Sequence, residues 1–344
     1  MVIPVNKFQL PFNFIGSLFE NVKNWINRLS TSTYSTAGLY DYLSYSSNLS
    51  VYLLCTTSNV LYKSSDGISW STISVPLAGY MATSVHYFNG YFYLGISDIN
   101  FSSPTLIPKI YRSSDASTWS LVYTFTSALP NFCFKSISDD GTNLIAYGDT
   151  YTLMGGTSGV PQYIFKSTGG STWSISATLS SSTDYVLSGK LRYINGTYVI
   201  FGWSASSRVL TSTNLTSWVY STIPGVSTHE GKVISGYLYL VTSGGLYRTN
   251  NGTTWTLVFP EPTGYVMMST SNISFGNNLY VLRISNNTAT GHGVWTSIDG
   301  ISWVFKLNYS SSGGAYYLTY GDKIFVGAGG KSSSTGIDIF TAKR

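Results

Sequence analysis

Carboxylates and histidines are the side chains of this sequence that could transfer protons, and both are scarce. The 344 residues include 14 Asp plus Glu and three histidines. Glu230 follows His229 at the start of a strand-like run, where a carboxyl group could act as a general acid in glycoside cleavage. The sequence offers it no partner carboxylate, so a solvated loop residue is the simpler interpretation. We therefore assign no catalytic residue.

Metal and disulfide sites are not indicated either. His86, His229 and His292 do not stand at metal-ligand spacing, and no cluster of acidic residues accompanies them. Cys55 and Cys133 lie in apolar, strand-like runs two repeats apart, which predicts two buried and unbridged thiols. We expect no metal and no cofactor.

The composition points to a surface wetted by hydroxyls and amides. Charged residues make up 10% of the chain, and tyrosine occurs 28 times, whereas globular domains usually contain about 25% charged residues. Such surfaces are typical of extracellular, virion and carbohydrate-facing proteins. The net charge of +5 comes from scattered basic residues, which argues against nucleic-acid binding. No apolar run is long enough for a transmembrane helix, and no secretion signal is evident, so an extracellular protein of this sequence would leave the cell by another route, of which assembly into a virion is one.

A repeated motif ending in tryptophan organises most of the chain. Six of the nine tryptophans close it, as in Leu61-Tyr-Lys-Ser-Ser-Asp-Gly-Ile-Ser-Trp70. We expect a structural role for its polar and aromatic positions, which are Asp66 and Trp70, Asp115 and Trp119, Trp173, Asn214 and Trp218, Asn251 and Trp255, and Asp299 and Trp303. The side chain of Asp or Asn can accept backbone N–H groups of a turn, and the tryptophan buries a large aromatic surface.

Tight hairpins alternate with these motifs. Pairs such as Asn89-Gly90 and Asn195-Gly196 separate alternating apolar runs and predict two-residue turns. Seven such hairpins and six tryptophan motifs predict an all-β, seven-bladed β-propeller over residues 37–344. The seventh unit ends without a motif or a fourth strand, so we expect residues 31–35 to supply the missing strand and close the ring.

The motif resembles the Asp box of the BNR-repeat β-propellers, in a variant one residue shorter. This broad group includes sialidases, other glycosidases, sortilin-type receptors and assembly factors. The resemblance implies the propeller fold and says little about activity. A sialidase would need three convergent arginines, but Arg112 and Arg248 occupy a repeat position where other units carry Lys63 or Lys166, which indicates repeat surface.

The first 36 residues form a separate predicted unit, an N-terminal anchor. Residues 14–29 have the period of an amphipathic helix. Its apolar face contains Ile15, Leu18, Phe19, Val22, Trp25, Ile26 and Leu29. This face could pack under the ring, or it could dock into a partner or sister subunits; membrane-surface binding is less favoured. We expect residues 1–30 to be dispensable for folding and required for assembly.

These features favour a non-enzymatic display protein. The leading hypothesis is a spike or tail-tip propeller on a virion, anchored to a larger assembly or a homo-oligomer by its helix, whose blade loops contact a host-surface glycan or protein. The alternatives are a glycoside hydrolase or lyase acting at the mouth of the ring, and an assembly scaffold. Clustered acids at one mouth would favour the enzyme.

Overall fold

Seven antiparallel sheets form the described part of the molecule in a computed structural model of the chain. The structure describes residues 26–30, 43–56, 59–98, 107–126, 132–150, 161–179, 189–202, 208–223, 227–268, 271–286, 291–310, 317–330 and 337–343. All regular elements within these ranges are strands, and none of the described residues forms a helix capable of crossing a membrane.

Each sheet is one blade, and in the first six blades the strands follow one another from the inside of the ring outwards. The first strand of the chain, β1 (Ile26–Ser30), belongs to the last blade. Blade 1 contains β2 (Leu43–Ser46), β3 (Val51–Cys55), β4 (Val60–Ser64) and β5 (Ser71–Ser74). Blade 2 contains β6 (Tyr80–Phe88), β7 (Tyr91–Asp98), β8 (Lys109–Ser113) and β9 (Ser120–Thr124). Blade 3 contains β10 (Phe132–Asp139), β11 (Asn143–Thr150), β12 (Gln162–Thr168) and β13 (Ser174–Leu179). Blades 4 and 5 contain β14 (Lys190–Ile194), β15 (Thr197–Phe201), β16 (Arg208–Ser212) and β17 (Val219–Thr222); and β18 (Thr228–Ile234), β19 (Tyr237–Thr242), β20 (Gly245–Thr249) and β21 (Thr256–Pro260). Blade 6 contains β22 (Tyr265–Val266), β23 (Asn272–Gly276), β24 (Leu279–Asn286), β25 (Gly291–Ser297) and β26 (Val304–Ser310), and blade 7 contains β27 (Tyr317–Gly321), β28 (Ile324–Gly330) and β29 (Ile337–Lys343).

The blades close into one ring. The inner strands contact one another in the order β2, β6, β10, β14, β18, β23 and β27, and β27 contacts β2 again. The predicted seven-bladed β-propeller is therefore confirmed.

The inner hairpins have the turn chemistry expected from the sequence. Asn89 and Gly90 have φ values of 46° and 86°, and Asn195 and Gly196 have 43° and 88°. Positive φ at both central residues matches the twist of the paired strands, which is why Asn-Gly turns are favoured here. Behind the hairpins, the second strand of each blade is buried between its neighbours; Cys55, for example, is fully buried and unbridged, as predicted.

Blade 7 is completed by β1, which pairs antiparallel with β29. Ile26 lies opposite Thr341, and Arg28 Nε donates a hydrogen bond of 2.9 Å to Thr341 Oγ1. A closing strand from the N-terminal region therefore exists at Ile26–Ser30, whereas the predicted residues 31–35 lie outside the described residues. The N-terminal unit predicted over residues 1–36 therefore contributes a strand to the last blade.

The predicted helix over residues 14–29 is wrong at its C-terminal end, because Ile26 and Leu29 lie in β1. An unpaired sheet edge offers backbone partners to a passing segment, and this tertiary pairing outweighs a helical pattern of apolar residues. The other predicted anchoring residues lie outside the described residues, and they are Ile15, Leu18, Phe19, Val22 and Trp25.

The pairing of β1 repeats a detail of the outer strand of blade 6. Both strands contain a bulge, at Arg28 in β1 and at Lys306 in β26. The bulge residue comes three positions after Trp25 in one case and three positions after Trp303 in the other. In the sequence, Trp25 thus holds the same position relative to its strand as the tryptophans that end the six motifs.

Candidate functional site

The central channel of the ring is a concave surface formed by the described inner strands. It contains a cavity of about 590 Å³, which is lined by residues of all seven inner strands. Ligand pockets in proteins commonly have volumes of about 300–1,000 Å³. The channel is therefore the candidate site, and its side chains determine the chemistry available there.

One layer of the channel wall consists entirely of hydrogen-bond donors. In each of the first six blades, the strand registers align one inner-strand residue, through the second strand, with the Ser or Thr that lies six positions before the motif tryptophan. The residue before that inner-strand residue defines this layer. Thr319, two positions before the end of β27, is its counterpart in blade 7. The donor layer contains Ser44, His86, Ser138, Arg192, Lys232, Ser274 and Thr319. All except Ser274 line the cavity.

Glu230 is an ion-paired residue that connects blades 4 and 5. Its carboxylate contacts Lys190 Nζ directly, and its Oε1 lies 3.7 Å from Arg192 Nη2. Arg192 also donates to the backbone oxygen of Gly231 at 3.1 Å and to Ser136 Oγ at 3.3 Å. Glu230 is 7% exposed and lies in β18, so it is not a solvated loop residue. A carboxylate held by two cations is poorly suited to donate a proton.

His86 and Asp139 form a second charged contact, between blades 2 and 3. His86 Nε2 lies 2.6 Å from Asp139 Oδ2, and the side chains are 27% and 30% exposed. Burial alone would raise the pKa of Asp139, but the contact with His86 and the hydrogen bond from Gly141 N outweigh it, so that its pKa is lowered. Asp139 is therefore ionised at neutral pH and holds the imidazole in place.

Asp140 is held just as firmly in the adjoining hairpin turn. It accepts hydrogen bonds from Tyr198 Oη at 2.6 Å, from Thr142 N at 2.9 Å and from Asn143 N at 2.6 Å. Burial opposes ionisation, but these donors lower the pKa of Asp140. Burial and the neighbouring carboxylate raise the pKa of Tyr198.

Asp149 has a raised pKa, and its carboxyl group lies away from the cavity lining. Burial raises its pKa, while the contact with Lys135 and the hydrogen bond from Tyr147 Oη at 3.1 Å oppose the shift. Its side chain is 1% exposed. This ion pair lies inside blade 3 and cannot reach a ligand in the channel.

The sequence did not indicate that these groups meet. In the sequence, Asp140-Gly141 indicates only a tight turn, and His86 does not stand at metal-ligand spacing from the other histidines. Lys190 and Glu230 are 40 residues apart, and no short motif joins them. The repeat could have revealed the donor layer, because its members occupy one position in each unit, counted back from the inner hairpin.

The motif residues predicted as structural lie in the turns between third and fourth strands, around the ring and outside the cavity lining. In the first motif, Asp66 Oδ1 accepts from Ile68 N and Ser69 N, each at 2.7 Å. The same pair of bonds from the second and third following residues recurs at Asp115, Asn214, Asn251 and Asp299.

These turn donors also affect ionisation. The N–H of Thr118, the hydroxyl of Ser113 and the N–H of Ser117 hold the pKa of Asp115 well below its usual range. The motif tryptophans lie beside these turns: Trp173 is 7% exposed, whereas Trp70, Trp119, Trp218, Trp255 and Trp303 are half-buried. These turns are fixed by hydrogen bonds between near neighbours and bring no reactive groups together.

Metal binding by clustered side chains is not supported. Within the described ranges, no group of three or more His, Cys, Asp or Glu side chains is arranged to hold an ion.

Comparisons with known proteins reveal the fold and no family. No protein-family model matches the chain, and no curated protein sequence matches it. Among solved structures, a chain of a mitotic checkpoint complex is similar with a TM-score of 0.64 and 11% identity, covering 100% of this chain and 98% of that one. A catalytically inactive variant of virginiamycin B lyase from Staphylococcus aureus, solved with quinupristin, has a TM-score of 0.64 and 11% identity over 92% and 98% of the two chains. The WD40 β-propeller domain of Doa1 has a TM-score of 0.59 and 11% identity over 92% and 97%. At such low identity, these likenesses show a β-propeller and nothing finer.

Proposed function

We propose that this protein is a non-enzymatic display propeller, a spike or tail-tip component of a virion, that presents its channel mouth and blade loops to a glycan or protein on a host surface. We further infer that its tryptophan motifs are short Asp boxes, because five of the turns share one pattern of hydrogen bonds to an Asp or Asn side chain.

The state of the channel carboxylates carries the proposal. Glu230 is paired with Lys190 and Arg192, Asp139 with His86, and Asp140 with a tyrosine and backbone N–H groups. Glycoside hydrolysis usually needs two carboxyl groups, one of them kept protonated by a raised pKa. The pKa values of Asp139 and Asp140 are lowered, and Glu230 is held between two cations, so these three lining carboxylates are engaged as anions, which favours binding over cleavage.

The surface composition supports an exposed, ligand-facing role. Charged residues make up 10% of the chain, so the surface of the ring presents mainly hydroxyl and amide groups to a partner. The described tyrosines are buried or half-buried, and the half-buried ones can offer part of a ring and a hydroxyl group. Tyrosine combines an apolar ring with a hydrogen-bonding group and is enriched at binding surfaces. Sugars, which present hydroxyls on apolar rings, suit such a surface.

A lyase or hydrolase at the channel remains the second candidate because of one observation. His86, oriented by Asp139, lines the cavity and could remove a proton from a bound substrate. One of the solved propellers of similar fold is a lyase by name. The assembly-scaffold alternative has no comparable feature in the described residues.

The proposal is tested by binding the fluorescently labelled full chain to a glycan array and to panels of bacterial cells. We expect saturable binding to a defined set of glycans or cells. Pretreatment with periodate should abolish cell binding if the receptor is a glycan, and pretreatment with protease should abolish it if the receptor is a protein. Absence of binding to every glycan and every cell type by a correctly folded chain would overturn the proposal.

A further inference from the structure

The residues that line the cavity divide the channel into a charged side and an uncharged side. Every charged or titratable histidine, carboxylate and cationic residue of the lining comes from blades 2 to 5. Blades 7 and 1 contribute an uncharged wall, which consists of Tyr317, Leu318, Thr319, Leu43, Ser44 and Tyr45. Because the inner strands β27 and β2 contact each other, these six residues form one continuous surface.

The charged groups of the lining already have partners within the protein. The lining carboxylates of Asp139, Asp140 and Glu230 are each ion-paired or hydrogen-bonded. One ammonium group reaches the uncharged wall, where Lys232 Nζ donates to the backbone oxygen of Leu318 at 3.1 Å. A charged ligand would lose its hydration and would have to compete with these contacts, which is costly. The lining therefore favours a ligand without net charge.

The uncharged wall offers three hydroxyl groups to a ligand. Ser44 and Thr319 belong to the donor layer on neighbouring strands, and Tyr45 follows Ser44 in β2. None of these three hydroxyl groups makes a hydrogen bond to another described residue. A hydroxyl group can donate one hydrogen bond and accept two, so it suits a ligand whose polar groups also do both.

Tyr45 provides an aromatic surface that is fixed in place beside these hydroxyl groups. Its ring lies 4.5 Å from the ring of Tyr52, measured between centroids. It also lies across Gly321 of blade 7, where an added Cβ would come within 2.4 Å of the ring. Packing on both neighbours restricts the rotamers of Tyr45, so a ligand that contacts its half-buried ring pays little ordering entropy.

We infer that the uncharged wall binds a neutral sugar, with Tyr45 against its apolar ring face and the hydroxyl groups of Ser44 and Thr319 bonded to its own hydroxyls. This inference rests on the proposed function and specifies its ligand as an uncharged glycan. A pocket with an apolar surface and a few fixed polar groups is the usual form of a small-molecule site. The volume of about 590 Å³ accommodates one or two sugar rings.

The test is isothermal titration calorimetry of the full chain with neutral and charged sugars. The neutral probes are methyl glucoside, methyl galactoside and methyl mannoside, and the charged probes are glucuronate and protonated glucosamine. We expect at least one neutral glycoside to bind, and neither charged sugar to bind more tightly than it does. The affinity for the neutral glycoside should be the same at low and high salt, because no charge is paired on binding.

Two matched pairs of variants locate the site. Thr319→Val removes a lining hydroxyl group and keeps the shape of the side chain, and Thr72→Val makes the same change at an exposed position of β5. Tyr45→Leu removes the lining ring, whereas Tyr320→Leu removes the ring at the same repeat position of blade 7, outside the cavity lining. We expect each lining variant to weaken the neutral glycoside roughly two- to tenfold, and each control to leave it unchanged. Thermal melting confirms that all four variants are folded.

The outcomes separate this inference from the proposed function. If a charged sugar binds more tightly than every neutral glycoside, the neutral ligand is refuted while glycan binding stands. If Thr319→Val and Tyr45→Leu bind the glycoside as tightly as the unaltered chain, the uncharged wall is not the site. If a folded chain binds none of the neutral glycosides, the inference is also refuted, and array or cell binding decides the proposed function independently.

Discussion

Removal of residues 1–30 should destabilise the propeller, in contrast to the expectation from sequence that these residues are dispensable for folding. The deletion removes β1, which pairs with β29 at four positions. If each pair supplies one backbone hydrogen bond with a net contribution of about 0.5–1.5 kcal/mol, the loss amounts to roughly 2–6 kcal/mol. The deletion also leaves the edge of β29 unpaired, which favours self-association.

The assay is thermal melting by circular dichroism, with size-exclusion chromatography beside it. With an unfolding entropy of about 2.1 cal/mol/K per residue, this loss lowers Tm by roughly 3–8 °C. A chain that starts at Leu18 keeps β1 and serves as the length control. Ile26→Thr is the substitution control, because Ile26 is 47% exposed and threonine suits a strand. If the chain that starts at Thr31 melts together with the full chain and stays monomeric, β1 does not close the ring.

Three further predictions concern the motif turns and one histidine. Trp25→Ala should lower Tm about as much as Trp173→Ala, since both hold the same position before an outer strand; an unchanged Tm would show that Trp25 lies outside the ring. Gly300→Ala should cost about 1–3 kcal/mol in denaturant unfolding, because φ is +70° and a Cβ would lie 2.2 Å from a tyrosine hydroxyl. Gly196→Ala serves as the control for backbone strain alone, because φ is +88° there and no atom lies within 4 Å of the added Cβ. If Gly196→Ala and Gly300→Ala lose equal free energy of unfolding, the clash with the tyrosine hydroxyl contributes nothing and the packing argument is refuted. Burial lowers the pKa of His229 to about 4. The full free energy of unfolding is therefore present above pH ~6.5, and up to about 3 kcal/mol of it is lost as the pH falls from there towards 4, because the unfolded state binds a proton first. A His229→Gln variant whose free energy of unfolding depends on pH in the same way would contradict this.

The parts of the fold that the sequence predicted are those set by local chemistry. Turn residues such as Asn89 and Gly90 specify a hairpin within two positions, and each motif fixes its own turn through hydrogen bonds between near neighbours. Repetition then determined the number of blades, because seven similar units of four strands close only as a ring.

The parts that the sequence did not predict depend on residues far apart in the chain. Ile26 and Leu29 fit a helical face, and only the unpaired edge of β29 explains why they form a strand. Lys190 and Glu230 belong to different blades, and their contact follows from the geometry of the ring. A single sequence carries local turn signals, but a pairing between blades depends on the assembled tertiary structure.

The claim that this propeller binds and does not cleave is tested most directly by the fate of a bound ligand. An array-selected glycan is incubated with a stoichiometric amount of the full chain, and mass spectrometry follows it over hours while fluorescence anisotropy reports the complex. We expect a saturable complex from which the glycan is recovered with unchanged mass. Product that accumulates with time and disappears in the His86→Ala variant would contradict it and establish a lyase or hydrolase.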